Sequence, residues 1–202
     1  MKNKKLYLSY FWCILFIAGL IFIDQFTKSI CLSHLKGNDP IDVIQNVLQL
    51  SYVSNRGIAW GMLWGKVNFV VILTTIISAI IIYIVYKIGL RINFYTINKV
   101  EGHIIKIRNL KILQITLMVM FSGAIGNLID RIRLGYVVDF VYLKLIDFPV
   151  FNVADIYVTL SMIAFVIFYL FKLEEEEIFI LFKSKQKWIQ DMKIKAFSKK
   201  QD

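Results

Sequence analysis

Two carboxylates, Asp139 and Asp155, stand where an apolar stretch gives a charge no ordinary place. Asp139 interrupts the run Val137-Val138-Asp139-Phe140-Val141, and Asp155 follows Phe151-Asn152-Val153-Ala154 at the head of a segment apolar from Ile156 onward. Only 15 residues separate them, so one short excursion can return the second acid to the first. Two carboxylates held close together do not both ionise readily; one pKa rises and the pair shares a proton. The ionised member can take a proton from water, while the protonated one polarises a carbonyl and later protonates a leaving nitrogen. That is aspartic-peptidase chemistry, which needs neither a serine nucleophile nor a metal. A proton or cation pathway would use acids similarly, and spacing alone leaves both readings open. Two further acids, Asp24 and Asp130, end apolar runs. Ionisable groups at such places are costly and are paired or functional. Asp24 has Lys28 four residues on and Asp130 has Arg131 beside it, so structural ion pairing at helix ends is an equal alternative for these two.

Other chemistries have little to work with. The chain holds two histidines, His34 and His103, and two cysteines, Cys13 and Cys31, all far apart in sequence. A zinc site, a histidine-based hydrolytic triad and a disulfide scaffold are therefore excluded, and no metal or cofactor is expected.

The elements that must position the acids are membrane spans. Of the 202 residues, 58% are hydrophobic and 19% charged, and mean hydropathy is +0.64; a soluble domain has about half and about 25%. A bilayer core about 30 Å thick needs about 20 apolar residues in helix. Charge-free runs cover Leu6–Ile23, Val67–Tyr86, Ile112–Ile129 and Ile156–Phe171. They predict an all-α membrane protein of four helices over about 6–24, 67–87, 111–130 and 153–172, together forming one domain, 1–172. The first run is too long for a signal-peptide core and lacks a small-residue cleavage site, so it is expected to be retained. Segments 1–5, 87–111 and 172–202 carry 17 Lys and Arg, against 7 in 24–66 and 130–155. This bias predicts cytoplasmic termini and places all four acids at the opposite, extracytoplasmic boundary. The formal net charge of +10 then marks topology and attraction to anionic lipid; nucleic acid is not an expected partner.

In the first outer segment Leu48, Leu50 and Tyr52 alternate with Gln49, Ser51 and Val53, then meet Ser54-Asn55-Arg56-Gly57. This is a strand period running into a turn, and predicts a small extracytoplasmic β element. Residues 87–111 read as a cytoplasmic connector without a chemical motif. The basic tail, 173–202, has the spacing of an amphipathic helix on the inner membrane surface, with a solvated tail as the equal alternative.

Four blocks resemble lipoprotein signal peptidase, or signal peptidase II. They are Asp24-Gln-Phe-Thr-Lys28; Asn55-Arg-Gly57-Ile-Ala-Trp-Gly61; Gly123-Ala-Ile-Gly126-Asn127-Leu-Ile-Asp130-Arg131 through Gly135-Tyr-Val-Val-Asp139-Phe140; and Phe151-Asn152-Val-Ala-Asp155. The resemblance implies a bacterial membrane aspartic endopeptidase that cuts prolipoproteins before a diacylglyceryl-modified cysteine. It implies Asp139 and Asp155 as the catalytic pair and Asn55, Asn127, Asp130, Arg131 and Asn152 as substrate-binding or supporting residues. Asp24, Lys28, Gly57, Gly123 and Gly126 are then structural. An asparagine offers donor and acceptor to a peptide backbone. The Arg131 fork is expected to orient a carboxylate, either Asp130 or the pair. Gly123 and Gly126 would admit a neighbouring helix or the substrate's signal helix. Ile58 and Trp60 depart from the family pattern, and the connector and tail are longer than usual. A proton-coupled transporter is disfavoured because no acid falls at midplane in any span, and a non-catalytic scaffold would not need the acid pair.

Overall fold

The computed structural model describes residues 2–57, 66–98 and 103–171. Its elements are helix α1 (Lys2–His34), strands β1 (Ile41–Ile44) and β2 (Leu48–Asn55), helices α2 (Val67–Asn98) and α3 (His103–Leu134), strand β3 (Val137–Leu143), a 3-10 turn (Lys144–Ile146) and helix α4 (Val153–Phe171). Among the described residues four helices are long and apolar enough to cross a membrane, with a small sheet beside them, as the sequence predicts. Three helices outrun their apolar stretches. α1 continues from Asp24 to His34, α2 from Lys87 to Asn98, and α3 begins at His103 rather than near Lys111. A charge ends an apolar run without ending a helix, and Lys, Arg, Leu and Gln are all good helix formers. The two prolines, Pro40 and Pro149, both lie in connections, where their missing N–H does no harm. The 87–111 segment is thus mainly two helix ends rather than a loose connector. Ile58, Trp60 and the tail from 172 lie outside the described residues.

α3 is the central helix and packs against α1, α2 and α4. Half of its apolar span is buried, whereas that of α1 is mostly exposed, with Trp12 and Phe22 turned outward. A core of Ile17, Val85, Ile88, Leu113, Leu117 and Phe168 joins the four. Two glycines of α3 allow its closest approaches. A Cβ on Gly123 would strike the Ala154 carbonyl, and one on Gly126 the Asp24 carboxylate. Both therefore serve helix packing, α3 against α4 and α1.

The sheet is antiparallel in the order β1-β2-β3. Gly135, at φ 77°, closes α3 by donating its N–H to the Arg131 carbonyl, and the chain enters β3 at once. Beyond β3, Phe151 bridges back to Val141, so the start of α4 is tied against the strand that carries Asp139.

Candidate active site

Asp139 lies on β3 and is 1% exposed. Its neighbour across the sheet is reached through an irregularity in β2. Leu50 pairs with Val141, but Val53, not Tyr52, pairs with Asp139. One extra residue therefore stands in β2 opposite Phe140, and this β-bulge reverses which face each later side chain takes. Tyr52 packs with Phe140, Val138 and Leu50, and its hydroxyl donates to that of Tyr136 at 3.1 Å. Asn55 follows beyond the bulge. It pairs with Val137, shares the face of Asp139, and donates from Nδ2 to Asp139 Oδ2 at 2.9 Å. Its own Oδ1 accepts the Gly57 N–H at 2.9 Å, so the amide orientation is determined by the turn that follows β2.

Asp155 is placed by the start of α4. Asn152 stands one residue before the helix, and its carbonyl accepts the Ile156 N–H at 3.3 Å. Its Oδ1 accepts the Asp155 N–H at 3.0 Å, while the Asp155 carboxylate accepts the Asn152 N–H at 3.1 Å. This is a reciprocal capping box, with Asp in the position Glu usually takes. The remaining group of Asn152, its Nδ2, donates to Asp139 Oδ1 at 2.6 Å and to Asn127 Oδ1 at 3.1 Å. One fully buried asparagine thus caps a helix and touches both acids. Asn127 closes the ring from α3, donating to Asp155 Oδ1 at 2.8 Å.

A second group of acids lies beside the first. Lys28 Nζ, 2% exposed, is 2.9 Å from Asp24 Oδ2 and 3.1 Å from Asp130 Oδ2, and donates to Asn127 Oδ1 at 2.8 Å. Each acid also accepts a backbone N–H: Asp24 from Ala154 at 2.9 Å, Asp130 from Val138 at 3.1 Å. These bonds pin α4 to α1 and β3 to α3. Gln25, which the sequence reading passed over, donates to both carboxylates and to the Gly126 carbonyl. Its only signal was its place inside the Asp24–Lys28 block.

Two expectations are corrected. Asp130 pairs with Lys28 rather than with Arg131. Among the described residues Arg131 bonds to no carboxylate; its fork donates to the carbonyls of Gly57 at 3.0 Å and Asn127 at 3.4 Å. Adjacent helical residues point about 100° apart, so Arg131 cannot follow Asp130 toward Lys28 and instead reaches over the turn after β2. Asn55, Asn127, Asp130, Asn152, Asp24, Lys28 and Gly57 otherwise join Asp139 and Asp155 in one continuous network.

The pair is electrostatically unequal. Burial first, and the nearby charge of Asp155 second, push the Asp139 carboxyl up to about 7, against the pull of the Asn55 and Asn152 donors and the Lys28 charge. Asp155 accepts its N–H bonds at the positive end of the α4 dipole. A carboxyl that titrates near neutrality beside a second one can give and take a proton there, which is what general acid–base hydrolysis uses.

The chain is similar to known proteins over most of its length. A family profile described as Signal peptidase (SPase) II matches residues 16–171. A lipoprotein signal peptidase of Caldanaerobacter subterraneus is 38% identical over 74% of this chain and 90% of its own. One from Enterococcus faecalis is 32% identical over 75% and 83%, and one from Staphylococcus aureus 33% over 76% and 85%. A bacterial membrane enzyme solved by the in meso method superimposes with a TM-score of 0.61 at 32% identity, covering 80% of this chain and 94% of its own. The profile spans all four helices and both acids, and on that ground the chain belongs to the signal peptidase II family.

Proposed function

We propose that the protein is an aspartic endopeptidase that removes signal peptides from prolipoproteins, cutting before a diacylglyceryl-modified cysteine, with Asp139 and Asp155 as its catalytic pair. The observation that carries this reading is the single asparagine, Asn152, bonded to both acids, one of which keeps its proton near neutrality. In the proposed reaction Asp155 takes a proton from water as that water attacks the scissile carbonyl carbon. Asp139 donates its proton to the carbonyl oxygen, giving a neutral gem-diol. As that intermediate collapses and the C–N bond breaks, a hydroxyl proton returns to Asp139 and the proton on Asp155 passes to the leaving nitrogen. Asn55, held beside Asp139 at the edge of the turn, is suited to holding the peptide extended.

The charge bias of 17 against 7 supports a bacterial cytoplasmic-membrane location with the pair at the extracytoplasmic face, where an exported substrate arrives with its signal helix and lipid chains in the bilayer. The unit 1–172 is the peptidase domain. The test is cleavage of a lipidated prolipoprotein by purified enzyme. Asp139→Asn and Asp155→Asn should each abolish turnover while inserting normally; substantial turnover by either removes the assignment. Reporter fusions at residues 45 and 145 should read extracytoplasmic, and those at 98 and 190 cytoplasmic. A cytoplasmic signal at 145 would part the pair from its substrate.

A further inference from the structure

At the far end of the frame from the acids, α2 and α3 enclose a groove of about 500 Å³. Asp130 is 22 residues further along α3 than Arg108, which is about 33 Å at 1.5 Å per residue. Ile104, Ile107, Arg108, Lys111, Ile112 and Ile115 recur at helical spacing along one face of α3 and form most of the groove's wall. Thr96 closes it from α2, and its hydroxyl is already spent on the Ile92 carbonyl at 2.7 Å. Among the described residues the wall is therefore apolar apart from two cations, and contains no acid. Arg108 and Lys111 are both exposed, and among the described residues neither makes a salt bridge.

We propose that this groove binds an anionic phospholipid, its phosphate held between Arg108 and Lys111 and its acyl chain lying along Ile112 and Ile115. Depth supports the assignment. Lys111 borders the apolar run of α3, and Arg108 stands about 4.5 Å further along the helix. A bilayer with a core of about 30 Å and a total thickness of about 40–45 Å has a headgroup layer some 5–7 Å deep on each side. Both cations fall within that layer, and Ile112 and Ile115 fall at the level of the chains. A guanidinium matches phosphate with two parallel N–H bonds, and Lys111 adds a point charge beside it. A zwitterionic lipid would also bring a quaternary ammonium toward these cations, which an uncharged glycerol headgroup does not. The apolar wall separates a lipid from free phosphate, because the ion alone leaves Ile107, Ile112 and Ile115 uncovered.

The test uses the full-length protein in a neutral detergent, with native mass spectrometry and thermal unfolding as parallel readouts. Dioleoylphosphatidylglycerol should remain bound and raise Tm, while dioleoylphosphatidylcholine and inorganic phosphate at equal concentration should do neither. The double variant R108Q/K111Q should lose affinity for the anionic lipid about tenfold or more. The control K4Q/K5Q, which removes the same charge from α1, should keep it. Ile107→Asn, which leaves both cations, should weaken lipid binding as well. The proposal is overturned if R108Q/K111Q binds as wild type does, if both lipids bind equally, or if free phosphate alone reproduces the Tm shift. Lipid binding that emerges only when residues 173–202 are removed would also overturn it, by making the chain's own tail the occupant.

Discussion

Asp24 and Asp130 share a lysine, whereas Asp139 and Asp155 share an asparagine. The four acids belong to one buried network and receive similar numbers of N–H donors, yet the two pairs are suited to different work. Lys28 sets its charge between the first two, while the other Asp24 oxygen accepts the Ala154 amide and Asp130 Oδ2, shared with Lys28, accepts that of Val138. That group is a clamp, drawing the starts of α4 and β3 toward α1 and α3. Asn152 brings no charge to the second pair. Its amide orders the two carboxyls without neutralising either, and burial together with the charge of Asp155 raises the Asp139 carboxyl toward neutrality. A cation between acids makes structure; a neutral amide between acids leaves a proton to be exchanged.

Exchanging the roles should separate activity from stability. Asp139→Asn or Asp155→Asn removes the group that moves the proton, and general acid–base loss alone is worth 10²–10⁴-fold, so turnover should fall by about a thousandfold or more with Tm little changed. Lys28→Met leaves two buried acids uncompensated and should cost about 3–5 kcal/mol of stability, with activity lost through unfolding. Initial rates and thermal unfolding on the same preparations decide the matter. If Lys28→Met keeps its Tm while the aspartate variants unfold, the contrast between the pairs is wrong.

Asn55 sharpens the contrast at its edge. Asn55→Ala should lower turnover about 100-fold, the scale on which misplacing a reacting bond acts, and leave the helices intact. Deleting Ser51 should have a comparable effect with every site residue still present. Removing the extra residue of β2 restores the uninterrupted alternation and turns Asn55 away from Asp139. Full activity in the deletion variant would show that the bulge does not aim Asn55. Truncation after Lys183 should have the smallest effect, with turnover largely retained, since the tail follows the end of α4 remote from the acids.

How far the sequence could be read depended on the kind of signal. Helix number came from apolar runs of membrane-spanning length, and the acids stood out because charge is rare at such boundaries. Helix ends were harder to see, because Lys87 or Lys111 ends a hydrophobic run and says nothing about where the backbone stops coiling. The bulge in β2 was out of sight, since it lies in strand register and leaves no mark in an alternating pattern. The partner of Arg131 was misjudged for a similar reason. Adjacency to Asp130 is visible in one dimension, while the Gly57 carbonyl it reaches lies on a different element. Gln25 looked like filler between Asp24 and Lys28 until α3 was packed beside it.

The central claim is that Asp139 holds a proton near neutrality and gives it up in the reaction. Burial and the charge of Asp155 push the Asp139 carboxyl well above the ordinary carboxylate range, to about 7, so the acid form is lost as pH rises through that value. The most direct measurement is kcat/KM on one lipidated prolipoprotein substrate from pH 5 to 9, because that ratio reports the free enzyme's ionisations. The account predicts a basic limb with an apparent pKa near 7, falling about tenfold for each further pH unit. A kcat/KM that stays level up to pH 9 would contradict it.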